Sequence, residues 1–182
     1  RTRPIPEGTR PLVSLKGLTK RFGKVLANDA ITLDVYPGRI KALLGENGAG
    51  KSTMMSMLAG RYKPDAGSIE VDGQPVRFSS SKDAIRAGIG MVYQHFMLVD
   101  SMTVAENVLL GQEGKFFVSP HEMERRVGEL AERYGLNIDP GARISELSMG
   151  ERQLVEILKL LYRESRILIF DEPTIFSRRC GA

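Results

Sequence analysis

Apolar and polar residues alternate at the start of the chain. Leu12-Val13-Ser14-Leu15-Lys16-Gly17-Leu18 sets apolar side chains against polar or small ones, the pattern of a half-buried strand. Lys20-Arg21-Phe22-Gly23 is expected to turn the chain, with Val25-Leu26 and Ile31-Thr32-Leu33-Asp34-Val35 as further short strands. Pro37-Gly38 signals a turn before the apolar run 40–44, which predicts a buried strand. Further on, Pro64-Asp65-Ala66-Gly67 turns into Ser68-Ile69-Glu70-Val71, and Asp72-Gly73 is a hairpin signal before Pro75-Val76-Arg77-Phe78.

Helical spacing enters between and after these strands. Residues 53–59 read as the start of a helix, and residues 80–87 as a short helix ended by Gly88. Residues 89–93 predict a buried strand. Thr103 caps a helix over 104–110, with Glu106 at the capping-box position. Ser119-Pro120-His121-Glu122 opens an amphipathic helix that runs to about Tyr134 and closes at Gly135. Ser148 caps another through about Tyr162, and 166–170 is a last apolar strand. The chain thus opens as antiparallel β and continues as α/β, without internal repeats.

Between the run 40–44 and the helix start lies Gly45-Glu46-Asn47-Gly48-Ala49-Gly50-Lys51-Ser52. Strand, Gly-x-x-x-x-Gly-Lys-Ser and helix together form a phosphate-binding loop. Backbone N–H groups at a positive helix end cradle an anion there, Lys51 reaches the β- and γ-phosphates, and the Ser52 hydroxyl ligates Mg²⁺. At the other end of the chain, Asp171 and Glu172 follow the apolar residues Ile167-Leu168-Ile169-Phe170. Alone, that pair reads as an acidic turn. With the loop upstream it reads as the second half of the site, Asp171 holding Mg²⁺ through water and Glu172 polarising the attacking water.

Composition changes this picture little. The 182 residues suffice for one domain or somewhat more. No apolar run approaches the roughly 18 residues of a membrane span. The single cysteine, Cys180, excludes an internal disulfide and is compatible with the cytosol. A net charge of +4 hints at nucleic acid, but removing the five terminal arginines, Arg1, Arg3, Arg10, Arg178 and Arg179, leaves −1 for the body. No nucleic-acid partner is expected.

Two further patches carry a family resemblance. Leu147-Ser148-Met149-Gly150-Glu151 resembles the Leu-Ser-Gly-Gly-Gln signature of ATP-binding-cassette (ABC) ATPases, and Val92-Tyr93-Gln94-His95 stands where that family has its glutamine loop. Phe22 matches the family's adenine-stacking aromatic. The resemblance runs from Leu12 to Thr174. It implies an α/β fold of the P-loop NTPase type, a RecA-like ABC core with an antiparallel β subdomain and an α-helical subdomain, incomplete at the C-terminus. The expected division is a Pro-rich leader 1–11, a partial nucleotide-binding domain 12–174 with a helical insertion at about 94–161, and a non-matching tail 175–182.

The resemblance also implies roles and partners. Phe22 would stack on adenine, and Gly45, Glu46, Asn47, Gly48, Ala49, Gly50, Lys51, Ser52 and Thr53 would wrap the triphosphate of ATP. Gln94 would contact Mg²⁺ or the attacking water, joining Lys51 and Glu172 in catalysis and Ser52 and Asp171 around the metal. Ser148 and Gly150 would close over the ATP of a second cassette paired head to tail. Residues 93–99 and 102–107, with 147–151 and 155–159, resemble importers of simple sugars and, more closely, of nucleosides. The implied setting is the cytoplasmic face of the membrane, as a peripheral partner of permease subunits and, indirectly, of an extracytoplasmic solute-binding protein.

Departures from the family pattern sharpen the expectation. Met149 and Glu151 replace the signature's Gly and Gln, and Leu154 stands in place of the usual Arg. After Asp171-Glu172-Pro173-Thr174 the match breaks, and neither His95 nor His121 supplies the γ-phosphate histidine. The chain is therefore expected to be a fragment that binds ATP with weak or absent hydrolysis. Rival readings are a soluble ABC ATPase acting on nucleic acid or ribosomes, a P-loop kinase or GTPase, and a non-catalytic remnant. Met54, Met55 and Met57 read as core, and the charged run from Glu122 to Glu132 as a solvated helix face or a surface for the membrane subunits.

Overall fold

The computed structural model describes residues 4–93, 95–111 and 119–171. The chain divides into two compact units, Arg1–Ala87 and Gly88–Ala182.

The first unit is built on a four-stranded antiparallel sheet in the order β2-β1-β3-β4. Strand β1 spans Val13–Phe22, β2 Val25–Val35, β3 Ala66–Val71 and β4 Gln74–Val76. Val13 lies opposite Val35 on one side and Val71 on the other, so β1 is one of the two inner strands, with β3. Its side chains Val13, Leu15 and Leu18 are buried, and β3 adds Ile69 and Val71. Two helices complete the unit, α1 (Lys51–Leu58) and α2 (Ser81–Arg86). Met54, Met55, Met57 and Leu58 of α1 are all buried, so the methionines take the core role expected of them.

Three local expectations need correction here. Strand β1 does not stop before Lys20 but runs to Phe22, which pairs with Val25 across the turn at Gly23-Lys24. The two short strands after it are one, and shifts of register absorb the polar interruption around Asn28 and Asp29. The third correction is larger. The run 40–44 lies in neither sheet, and Ile40 and Leu44 are each 94% exposed. Hydrophobicity signals a preference for burial, but a strand also needs a ladder partner for its N–H and C=O groups. Among the described residues none pairs with this run.

In the second unit, β5 (Ile89–Val92) and β6 (Ile167–Phe170) pair in parallel, from Ile89 opposite Ile167 to Val92 opposite Phe170. Every residue of β5 is buried, as its unbroken apolar run predicts. Helices α3 (Val104–Leu109), α4 (Pro120–Arg133) and α5 (Met149–Tyr162) bring Val104, Ala105, Val108, Val127, Ala131, Val155 and Leu158 into one cluster. Ile144, from a single 3₁₀ turn at Ile144–Glu146, completes it. All three helices begin where the capping chemistry places them. Thr103 and Glu106 form a reciprocal box, Ser119 accepts from the Glu122 N–H, and Ser148 boxes with Glu151.

The irregular stretch before α3 is held by side chains. The fully buried Asn107 accepts from the Val99 N–H at 2.8 Å and donates to the Val99 and Thr103 carbonyls at 3.1 and 3.0 Å. From α5, Glu156 accepts from the Met97 N–H at 3.1 Å, while Lys159 donates to the Met97 carbonyl at 2.9 Å.

Candidate functional site

The loop 45–50 enters α1 through Gly50, the N-cap residue, at φ +78° and ψ 6°. This left-handed backbone excludes most side chains, and space excludes the rest: a Cβ on Gly50 would lie 2.1 Å from the Ala27 carbonyl oxygen. The Gly50 carbonyl accepts the first helical bond, from the Met54 N–H at 2.9 Å, and a second from the Asn28 side chain at 3.1 Å. Asn28 is buried on β2 and ties that strand to the loop. Sequence reasoning missed Asn28, and a polar residue amid the interruption of β2 was its only signal.

The start of α1 has no side-chain cap and no acidic residue in its first turn. Its positive end is therefore left for an anion outside the protein. Lys51 folds back over the loop, donating to the Gly45 carbonyl at 2.6 Å and the Glu46 carbonyl at 2.7 Å. Ala49 N–H donates to the Glu46 carbonyl at 3.2 Å, closing the turn around Asn47 and Gly48. Ser52 is exposed and Thr53 half-buried, both in the first turn of α1. A cationic, uncapped helix start held open by glycines fits a chain of phosphates.

Phe22 ends β1 with 43% of its surface exposed. Its ring meets Tyr62 edge to face, with centroids 5.2 Å apart and planes at 74°. The Lys20 ammonium lies 5.5 Å from the Phe22 ring centroid and 3.0 Å from an Asp65 carboxylate oxygen.

In the second unit, Asp171 follows β6, and its N–H donates to the Val92 carbonyl at 3.2 Å, extending the parallel ladder by one step. A carboxylate is thereby placed at the C-terminal end of a partly buried strand, where metal ligands of P-loop sites belong. Gln94 and Glu172 lie outside the described residues. His95 and His121 are both exposed. Among the described residues no cluster of three or more His, Cys, Asp or Glu side chains is arranged around a metal position.

Ser148 engages its own helix first. Its hydroxyl donates to Glu151 at 2.7 Å, its N–H donates to the same carboxylate at 2.8 Å, and the Glu151 N–H donates back to the hydroxyl at 3.3 Å. The hydroxyl and the backbone N–H together hold the Glu151 carboxyl below its ordinary range. Glu151, which stands in place of the family's Gln, thus completes the cap. Met149 is 63% exposed, and a Cβ on Gly150 would meet open space. Among the described residues, nothing packed against this helix start needs a glycine there.

The model of the ABC transporter family matches residues 28–175. The chain is 48% identical over 167 residues to the ribose import ATP-binding protein RbsA 1 of Rubrobacter xylanophilus, covering 91% of this chain and 34% of that protein. It is 50% identical over 165 residues to the guanosine import ATP-binding protein NupO of Bacillus subtilis, covering 90% and 32%. It therefore spans about a third of the length of these relatives. Among solved structures, cbiO1 of Clostridium perfringens, part of an ABC transporter complex, matches with a TM-score of 0.75 at 28% identity, over 90% of this chain and 66% of that one. An ATP-binding cassette of an ABC transporter in its ADP conformation matches with a TM-score of 0.77 at 25% identity, over 88% and 68%. The fold is that of a P-loop ATPase cassette, α/β with an antiparallel sheet and a helical part. The chain belongs to the ABC transporter family.

Proposed function

We propose that this chain is the ATP-binding part of an ABC importer that takes up a nucleoside or a simple sugar. One observation carries the nucleotide reading above the others: α1 begins without a cap or an acid, and Lys51 overhangs the glycine loop that leads into it. The loop N–H groups and the helix end stabilise phosphate charge, and Lys51 exchanges the Gly45 and Glu46 carbonyls for phosphate oxygens. Gly45 to Thr53 bind the triphosphate, and Phe22 stacks on the base.

Ser52, Gln94 and Asp171 are the proposed holders of Mg²⁺, which when bound draws charge from the phosphates and the leaving oxygen. Glu172 orients and deprotonates water for in-line attack, the general-base role its place after Asp171 suits. Ser148 and Gly150 are offered to the nucleotide of a second cassette. Support for that pairing is the exposed, unobstructed start of α5. The names of the relatives support the solute class, and permease subunits with a solute-binding protein would select the solute. A peripheral place at the cytoplasmic membrane face follows from this reading. Among the described residues no helix is long and apolar enough to cross a membrane.

Calorimetric titration of the chain with Mg·ATP tests the reading. Saturable binding that disappears in Lys51→Ala is the expected result. No binding by the unaltered chain would overturn it, and a preference for GTP would move it to a GTPase or kinase.

A further inference from the structure

Phe22 is not a lone exposed ring. The segment 62–65 wraps the end of β1 from below. The Asp65 N–H donates to the Thr19 carbonyl at 2.9 Å, and the Asp65 carboxylate accepts from the Arg21 N–H at 2.7 Å and from Lys20 at 3.0 Å. These contacts, the Arg21 N–H foremost, hold the Asp65 carboxyl below its ordinary range, so it is a carboxylate at neutral pH. Lys20, fixed by Asp65, in turn sits over the Phe22 ring, while Tyr62 braces that ring edge to face.

The same segment continues from α1. The Ser56 carbonyl accepts from the Arg61 N–H at 2.9 Å and the Tyr62 N–H at 3.4 Å, so Tyr62 is positioned by the helix whose other end carries the phosphate loop. Eight residues of helix separate the two, a rigid spacer about 12 Å long. Stacking on an aromatic ring is strongest when the ring is already immobile, because its rotamer freedom is then not lost on binding. An exposed phenylalanine at a strand end lacks that rigidity unless neighbours supply it.

We propose that Tyr62 is a positioning residue for nucleotide binding: it fixes the Phe22 ring as a preformed platform for the base, at a distance from the phosphate loop set by α1. The proposal rests on the ATP-binding reading above and adds a residue that acts on the base alone. Its contact with Phe22 is through ring edge and face, so the phenol oxygen is dispensable. A flat platform accepts any base, so ATP and GTP are affected alike.

The test is calorimetric binding of ATP, GTP and inorganic tripolyphosphate, each with Mg²⁺, to the 182-residue chain and to Tyr62→Leu and Tyr62→Phe. Tripolyphosphate reports on the loop without the base. The expected result is a rise of about three- to tenfold in the dissociation constants of both nucleotides for Tyr62→Leu, with tripolyphosphate unchanged and Tyr62→Phe within about twofold of the unaltered chain. Equal weakening of nucleotide and tripolyphosphate by Tyr62→Leu would mean general loosening and overturn the proposal. So would a Tyr62→Leu chain that binds ATP normally. If the unaltered chain bound tripolyphosphate but gained nothing from the base, the Phe22 platform would fail while the phosphate loop stood. Failure to bind any of the three would refute the nucleotide reading itself.

Discussion

The side-chain amide of Asn28 donates to the carbonyl of Gly50 at 3.1 Å, joining the middle of β2 to the mouth of the phosphate loop across 22 residues of sequence. Gly50 comes so near the strand that a Cβ would lie 2.1 Å from the Ala27 oxygen and 2.8 Å from the Asn28 amide nitrogen. Gly50→Ala must therefore move either the loop or the strand, on top of the cost of an L-residue at φ +78°. The expected loss is about 2–4 kcal/mol in urea denaturation, with ATP binding abolished. Asn28→Ala should cost only about 1 kcal/mol, since the Gly50 carbonyl keeps its bond from Met54. Equal effects of the two substitutions would show that the close approach at Gly50 is not what matters.

Asn107 is another buried polar side chain with an identifiable task. It satisfies both backbone groups of Val99 and the carbonyl of Thr103 from a fully buried position. Leucine has nearly the same shape but none of these bonds, so Asn107→Leu removes the acceptor of the Val99 N–H, while the Val99 carbonyl keeps its bond from the Met102 N–H at 3.1 Å. A destabilisation of about 2–3 kcal/mol is expected, read as a lower urea midpoint with an unchanged slope. Hydrogen exchange at the Val99 amide should accelerate more than at Val108 in α3. Uniform acceleration at both would argue for general loosening instead.

Much of this arrangement is legible in the residues themselves. Thr103, Ser119 and Ser148 each announce a helix start because capping is a local reaction between a side chain and N–H groups three residues on. The Gly-Lys-Ser of the loop is legible for the same reason. What escapes is whatever depends on distant partners. The run 40–44 has the composition of a core strand, yet Ile40 and Leu44 are exposed because pairing is a property of the sheet and not of the segment. Asn28, Asn107 and Glu156 escape for a related reason: a buried polar residue looks like a surface residue until its partner is seen. Tyr62 is hidden similarly, 40 positions from the ring it supports.

Glu122 provides a pH-dependent test of α4. It accepts bonds from Arg125 and Arg126, and Arg125 foremost lowers its carboxyl from 4.5 to about 2. A carboxyl depressed in the folded state contributes stability that is fully present above its unfolded value and is lost as pH falls through its folded value. The contribution of this cluster should thus be constant above about pH 5 and fade between about pH 4.5 and 2. Carboxyl carbon chemical shifts measured through an acid titration should place the Glu122 midpoint near 2, and Arg125→Ala should move it upward. A midpoint near 4.5 in the unaltered chain would mean that these exposed pairs are open in solution.

Gly150 separates what the chain needs for its own fold from what it offers to a partner. It sits in the first turn of α5, where a Cβ would meet no atom of the described residues within 4 Å. Glycine there costs helix stability, because it loses more backbone freedom on folding than alanine does. Gly150→Ala should consequently raise the stability of the chain by about 0.5 kcal/mol, seen as a higher urea midpoint. If the proposed head-to-tail pairing is correct, the same methyl group intrudes where a second cassette brings its nucleotide. ATP-dependent self-association, followed by sedimentation, should then weaken although the fold has become firmer. A Gly150→Ala chain that is less stable would show that the glycine serves its own helix, and one that associates as before would leave the open surface at the start of α5 without a partner.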